Sequence, residues 1–469
     1  MDLAALLPVS PALTAAYLEH HGVLPLGVRD GVLRVATWLD APPAQALDDL
    51  ALLCRARVAV ERGNEPALRR AIQRVYGAEP TAQGMIDSLT TSDGAALPEV
   101  RALDDLVAQA NEAPVVRLVN LLLLEALQAR ASDVHLETYA GALRVRYRVD
   151  GVLQEAPSPP VQLAAAVVSR LKIMAELDIA ERRVPQDGRI RLRLQDRGVD
   201  VRVSTIPALH GESVVLRLLD AARGRITLDA LGMTEGTLAR FRAAIARPHG
   251  VVLATGPTGS GKTTTLYAAV EALRTGREKI LAVEDPVEYE LPGVPQIPVH
   301  EKAGVTFASA LRAMLRQDPD IMLVGEIRDG ETAAIATQAA LTGHLVLSTL
   351  HTNDAAGALT RLRELGVDAY LVASTVEAVL AQRLVRTWCT ACGGRGCDAC
   401  RDTGYLGRVG IHELLVMTDA LRAAVQAGTD TASLRRIAVS EGMQTLRDEG
   451  ERLVAAGRTS REEVIRVTS

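Results

Sequence analysis

Three observations predict an α/β protein of several domains, built around a parallel sheet wound with helices. At 469 residues the chain is too long for one hydrophobic core. Between about residues 226 and 386, short apolar strands (Val251–Ala254, Lys279–Val283, Ile321–Val324, Leu345–Ser348) alternate with helical stretches, the pattern of a sheet covered on both faces. The first of these strands runs into a glycine-rich loop and then a helix-forming run, which is the local order a phosphate-binding turn requires.

Composition narrows the class. Apolar residues make up 48% of the chain and charged residues 23%, as in folded rather than disordered proteins. The formal charge of −5, the absence of a Lys/Arg run and an aromatic content of 3% give no sign of a nucleic-acid binder. The stretch Met1–Pro8 lacks a basic segment followed by an apolar one, and Asn120 and Glu125 interrupt the apolar run Leu118–Leu127. Neither an export signal nor a membrane span is expected, and the chain reads as cytoplasmic. Cys54, among Leu52, Leu53 and Val58, is expected to be an ordinary buried thiol.

Along the chain, residues 1–76 mix helical stretches (Ala12–His21, Pro66–Tyr76) with strands near Val32–Ala36 and Val58–Val60, a small α/β domain. Residues 77–99 are small and polar and read as a linker. Residues 100–225 open with a helix, Pro114–Ala129, and continue with strands Leu143–Val149, Arg189–Leu194 and Val199–Ser204, joined by Asp150-Gly151 and Asp187-Gly188 turns. The wound sheet occupies 226–386, a cysteine-bearing segment 387–411, and a helical domain 412–469.

The loop is Gly256-Pro257-Thr258-Gly259-Ser260-Gly261-Lys262-Thr263-Thr264. Its glycines let successive N–H groups turn toward a phosphate, and the helix N-terminus adds its positive end. In this reading the residues from Gly256 to Thr264 bind ATP, Lys262 meets β/γ-phosphate oxygens and Thr263 ligates Mg²⁺. Only Lys172, Lys262, Lys279 and Lys302 are lysines among 52 basic residues, so a Lys in the slot that needs a compact charge is not a product of composition.

Three later segments complete a nucleotide site. Ile321–Val324 is a buried strand leading through Gly325 to Glu326, the form of an acidic metal-side strand. In Glu284-Asp285-Pro286-Val287-Glu288, Pro286 stops a strand and fans carboxylates into a loop able to hold a general base. Thr342-Gly343-His344 and Ser348-Thr349-Leu350-His351-Thr352-Asn353-Asp354 flank a fourth strand with histidines and hydroxyls.

In this order GPTGSGKTTTLY, VEDPVEYE, LRQDPDIMLVGEIRD and TGHLVLSTLHTND resemble the Walker A, Asp box, Walker B and His box of the secretion and pilus-assembly ATPase superfamily. Ala131–Glu137, Arg146–Gly151, Pro185–Arg189 and Asp200–Thr205 look like that family's second N-terminal domain, a PAS-like unit, and the type II secretion ATPases are the nearest branch. The resemblance implies a RecA-like P-loop ATPase core carrying two smaller N-terminal α/β domains. It makes Glu288 the catalytic base, Glu326 the Walker B acid, and His344 and His351 nucleotide-sensing residues. It also implies phosphate-reaching arginines at Arg202, Arg217, Arg312 and Arg316. Its partners would be a homo-hexamer, an inner-membrane platform protein, and the cytoplasmic domain of a membrane-anchored L-type protein docked on residues 1–76.

Cys389-x₂-Cys392 and Cys397-x₂-Cys400 are two knuckles joined by Gly393-Gly394-Arg395-Gly396, a ligand set for a closed tetrahedral Zn²⁺ site with no position left for water. The resembling family usually has a longer insert between the pairs. An ATP-driven motor for pseudopilus assembly in type II secretion is the leading reading. A pilus-extension ATPase shares every motif, and a DNA-translocating motor would need a basic pore that the sequence does not show.

Overall fold

The computed structural model describes residues 9–10, 13–29, 31–76, 81–91, 113–194, 197–220 and 226–469.

The first domain is a three-stranded sheet in the order β1 (Val23–Arg29), β2 (Val32–Thr37), β3 (Arg57–Arg62). β1 and β2 form an antiparallel hairpin, and β2 pairs parallel with β3 after the crossover helix Ala44–Cys54. Leu18, Leu33, Val35, Leu50, Leu68 and Ile72 fill its core. β1 escapes a sequence reading because Pro25 and Gly27 sit at a register shift that breaks its alternation. Cys54 is half-buried rather than buried, at the end of its helix.

The stretch expected as a linker contains a helix, Ala82–Thr91. Ala82 and Ile86, four apart on one face, are buried with Val115 and Leu118 in the core of the following domain, and the Ala82 N–H donates to Glu125 Oε1 at 2.7 Å. Ala82, Met85, Ile86 and Leu89 do recur at helical spacing, but the Gly, Ser and Thr around them disguise it and the tertiary contact makes the helix plain. The rest of the 77–99 segment and the start of the 100–225 segment lie outside the described residues.

The second domain is an antiparallel six-stranded sheet in the order β6 (Val152–Glu155), β5 (Ala142–Val149), β4 (Ala131–Tyr139), β9 (Gly211–Asp220), β8 (Arg197–Ala208), β7 (Gln186–Leu194). Helices Ala113–Gln128 and Ala164–Met174 pack over its apolar face, where Val145, Tyr147, Val201 and Leu216 are buried. On the other face Asp133, Arg217 and Arg202 stand side by side across β4, β9 and β8. The expected Asp150-Gly151 turn is present, with φ 49° and 85°. Asp187-Gly188 is not a turn but the start of β7. Gly188 is there because a Cβ would come 2.6 Å from the Ala175 carbonyl oxygen and 2.9 Å from Leu177 Cδ2. Gly188→Ala is therefore expected to destabilise this domain by about 1–3 kcal/mol, read as a lowered urea midpoint. An unchanged midpoint would remove the close-approach explanation.

The third sheet runs β12 (Gln296–Pro298), β11 (Ile280–Glu284), β13 (Ile321–Val324), β14 (Leu345–Leu350), β10 (Gly250–Thr255), β15 (Val376–Trp388), β16 (Tyr405–Val416). All neighbours are parallel except β15 and β16. Every residue of β10, β11, β13 and β14 is buried, with one apolar cluster on each face. The cysteine segment interrupts the β15–β16 hairpin, and β16 carries residues 412–416, expected as helical, into the sheet. Its pairing partner is far away in sequence, and His412 and Glu413 break its apolar run, so the strand leaves no local signal. Helices Asp419–Gln426, Thr431–Ser440, Leu446–Ala455 and Arg461–Thr468 follow. No helix among the described residues is long and apolar enough to cross a membrane.

Candidate nucleotide site

Parallel register brings the ends of four strands to one edge: Thr255 pairs with Leu350, Ser348 with Val324, and Val324 with Val283. The chain leaves that edge from β10 through Gly256, Gly259 and Gly261, with φ 145°, 78° and 91°, all in the region that favours glycine. Gly261 caps the helix Lys262–Leu273. Thr258 and Gly259 are exposed, Thr263 is exposed in the first helical turn, and Thr264 is half-buried. A loop of this form, with N–H groups turned at a helix N-terminus, suits an anion, and Thr263 carries a solvent-exposed hydroxyl beside it.

Lys262 is buried at the loop, and its ammonium donates to the carbonyls of Gly256 at 2.8 Å and Pro257 at 3.1 Å. Burial lowers its pKa to about 8; the Arg383 charge adds to that and Glu326 opposes it. A polyphosphate would give this ammonium a charged partner in place of two carbonyls. Thr255 Oγ1 lies 2.7 Å from Thr352 Oγ1 and accepts the Thr352 N–H at 2.9 Å, tying the loop to the segment after β14.

Glu326, two residues beyond β13, meets His351 Nε2 at 2.9 Å and forms an ion pair with Arg328, whose Nη1 also reaches Asp285 at 3.2 Å. The carboxylates of the preceding acidic segment divide. Glu284 does not join the loop: it is the buried last residue of β11, bonded to Tyr267 of the P-loop helix and accepting from Gln296 Nε2 at 2.9 Å. Burial raises its pKa, with the Glu288 charge adding and those two hydrogen bonds opposing. Glu288 stays partly exposed, with Tyr289 packed edge-on against Tyr267 at 4.6 Å. Arg202 reaches this loop from β8, donating to the Val287 carbonyl at 2.6 Å and standing 3.6 Å from Glu288 Oε2.

The structure thus brings Lys262, Glu326 and His351 together at the loop edge and places Glu288 beside Arg202. The other candidates stand apart within the single chain. Arg217 is held by Asp133 at 3.1 Å, Arg312 pairs with Glu331, and Arg316 donates to the Arg312 carbonyl at 3.0 Å. His344 precedes β14, at the opposite end of the strand from His351, with Nδ1 3.0 Å from the Ala339 carbonyl oxygen. Two residues the sequence reading passed over also border the loop. A Cβ on Gly261 would lie 2.7 Å from Gln382 Nε2, and one on Gly256 would lie 3.0 Å from Arg383 Nη1. The available signal was a Gln-Arg pair interrupting the apolar run of β15.

At the far end of β15, Cys389, Cys392, Cys397 and Cys400 present sulfurs all within 4.8 Å of one another, at separations of 3.9 Å (Cys389–Cys397), 3.8 Å (Cys392–Cys400) and 3.7 Å (Cys397–Cys400). Four thiolates about 2.3 Å from a tetrahedral ion stand about 3.8 Å apart, so these residues fit one. Burial opposes ionisation of Cys392, but the N–H groups of Gly396 and Gly394 together with the Cys397 and Cys400 thiols outweigh it and bring the thiol down to about 7.

A doubly covered parallel sheet with a lysine-bearing glycine loop, and acidic residues at the ends of the neighbouring strands, defines a P-loop ATPase. The profile of the Type II/IV secretion system protein family matches residues 108–466, and that of the MshEN domain matches residues 2–82. The chain belongs to the Type II/IV secretion system protein family, and within it to the type II secretion ATPases. It is 46% identical to Type II secretion system protein E of Xanthomonas campestris pv. campestris, covering 99% of this chain and 86% of that one. It is 49% identical to Type II secretion system ATPase E of Vibrio cholerae, covering 78% and 77%. The pilus retraction motor PilT with bound ADP superposes with a TM-score of 0.55 at 27% identity, covering 74% of this chain and 95% of that one.

Proposed function

We propose that the chain is a homo-hexameric, Mg²⁺-dependent ATPase in the cytoplasm that powers pseudopilus assembly from the inner-membrane face of a type II secretion machine. The observation that carries the reading is the placement of the arginines. Of the four arginines expected at phosphates, Arg202 reaches the acidic loop, while Arg217, Arg312 and Arg316 bond elsewhere in the single chain. Arginines left outside their own site suit transfer of charge across a subunit boundary, where a guanidinium stabilises the transferring phosphoryl group.

Within one site, Lys262 and the loop N–H groups hold the phosphates, Glu288 takes a proton from the attacking water, and Glu326, oriented by His351 and Arg328, supports the metal side. Mg²⁺, held by Thr263, would neutralise the β/γ-phosphate charge. His344, set apart in the single chain, would sense nucleotide from a subunit boundary. Zn²⁺ is the ion that suits four thiolates in a cytoplasmic chain, and with no open position it is structural. Residues 1–76 dock on the cytoplasmic domain of a membrane-anchored L-type protein, and the core works against the platform protein.

The test is specific ATPase activity against protein concentration, with Mg²⁺ and without nucleic acid. A rise in specific activity as hexamers form is expected. Activity that is flat with concentration, or that requires DNA, would overturn the motor reading in favour of a monomeric enzyme or a translocase.

A further inference from the structure

Arg383, on β15, is 8% exposed, and every proton it donates goes to a backbone carbonyl: Gln382 at 3.0 Å, Asn353 at 2.9 Å and Val467 at 3.1 Å. Among the described residues no carboxylate forms an ion pair with it. The nearest acids are committed elsewhere: Asp354 caps the helix that begins at Ala355, and Glu413 accepts the N–H groups of Ala355 and Leu446. The Glu413 and Asp354 charges act on it only without direct pairing, and a buried guanidinium with no ion pair is stabilised further when an anion arrives. The place where an anion arrives is next to it, since a Cβ on Gly256, the first residue of the phosphate loop, would stand 3.0 Å from Nη1.

The carbonyls that hold Arg383 come from different parts of the domain. Asn353 follows β14, and Val467 lies in the last turn of the helix Arg461–Thr468, whose C-terminal end carries partial negative charge. The same helix is fixed at its start. Glu463, 2% exposed, accepts Arg386 Nη2 at 2.8 Å and the Arg386 N–H at 3.1 Å, and Tyr405 Oη donates to Ser460 at 2.9 Å. The C-terminal helix therefore lies as a strap between the back of the phosphate loop and the stem of the cysteine hairpin.

We propose that Arg383 is a positioning residue for the bound nucleotide: its charge completes the phosphate site from behind Gly256, and its planar fork links that site to the end of the C-terminal helix. Charge and fork are separable because lysine keeps the first and lacks the second.

The experiment uses the full-length chain, with MgADP affinity and hydrogen exchange of residues 461–468 as readouts. Wild type should bind MgADP and show slower exchange in that helix when saturated. Arg383→Lys should bind within about threefold of wild type, because the charge remains, but show no slowing of exchange. Arg383→Gln should weaken MgADP binding by about tenfold or more, as expected when a charged partner is removed, and should also show no slowing at saturation. Binding by Arg383→Gln equal to wild type, or an Arg383→Lys defect as large as that of Arg383→Gln, would overturn the charge role. Full slowing of exchange in Arg383→Lys would overturn the link to the helix. If Arg383→Gln does not fold, Arg383→Lys alone decides both points, since loss of its affinity or retention of its exchange response each contradicts the proposal.

Discussion

Glu288→Gln should lower kcat by about 10²–10⁴-fold, the usual contribution of a general base, while ATP affinity changes by less than about threefold. The amide keeps the shape of the side chain but cannot take a proton from water. The geometry supports this choice among the neighbouring carboxylates. Glu284 is buried and engaged with Tyr267 and Gln296, and Asp285, as exposed as Glu288, is held by Arg328 at 3.2 Å, whereas the Arg202 contact with Glu288 is looser at 3.6 Å. Arg202 holds the loop that carries it, standing 3.6 Å from Glu288 and donating to the Val287 carbonyl at 2.6 Å. Single-turnover hydrolysis with pre-bound ATP separates chemistry from binding. A loss smaller than tenfold would move the base to another group, with Asp285 next to be replaced.

The second large effect is expected at the cysteine hairpin. Cys389→Ser should abolish stoichiometric metal binding and unfold residues 389–405 locally. The stake is large because structural zinc contributes on the order of 10 kcal/mol in small zinc-dependent folds. The damage should stop at the stem, because β15 and β16 are held from Ala378–Val416 to Arg386–Arg408 by strand pairing rather than by the thiolates. Beyond the stem, Trp388 stacks on Tyr405 at 4.5 Å, and Gly394 lies where a Cβ would come within 2.8 Å of the Trp388 ring, so a relaxed tip would expose this stack. The tip also touches the second domain, with the Gly407 N–H donating to Asp150 Oδ2 at 2.8 Å. Metal content of the purified chain and limited proteolysis between Gly393 and Gly396 provide the readout. A serine variant that keeps one ion per chain, and resists cleavage as well as wild type, would refute the four-thiolate site.

The pieces of chemistry were legible wherever their signal is local. The strand, glycine loop and lysine are contiguous in sequence, and so are the cysteine knuckles, because a phosphate cradle and a metal knuckle are each made by a few neighbouring residues. The buried parallel strands also declared themselves as short apolar runs, since both of their faces are covered. Signals failed where pairing is distant or composition disguises it. β16 carries His412 and Glu413 inside a buried strand, β1 is broken by Pro25 and Gly27, and Gly84, Ser88, Thr90 and Thr91 disguise the apolar spacing of the helix Ala82–Thr91. Glu284 and Glu288 are indistinguishable as letters four apart. The end of β11 turns one into the core and leaves the other near water.

By itself the sequence determined that this chain is a P-loop ATPase with a four-cysteine hairpin, because those sites depend on residue types at fixed short spacings. Only the tertiary structure decided that Arg202 meets Glu288 while Arg217, Arg312 and Arg316 bond elsewhere, and that Arg383 backs the phosphate loop. The Arg202–Val287, Arg217–Asp133 and Arg383–Val467 contacts join residues 84 or 85 positions apart, and the free energy of bringing them together resides in sheet register and core packing, to which no short stretch of sequence responds alone.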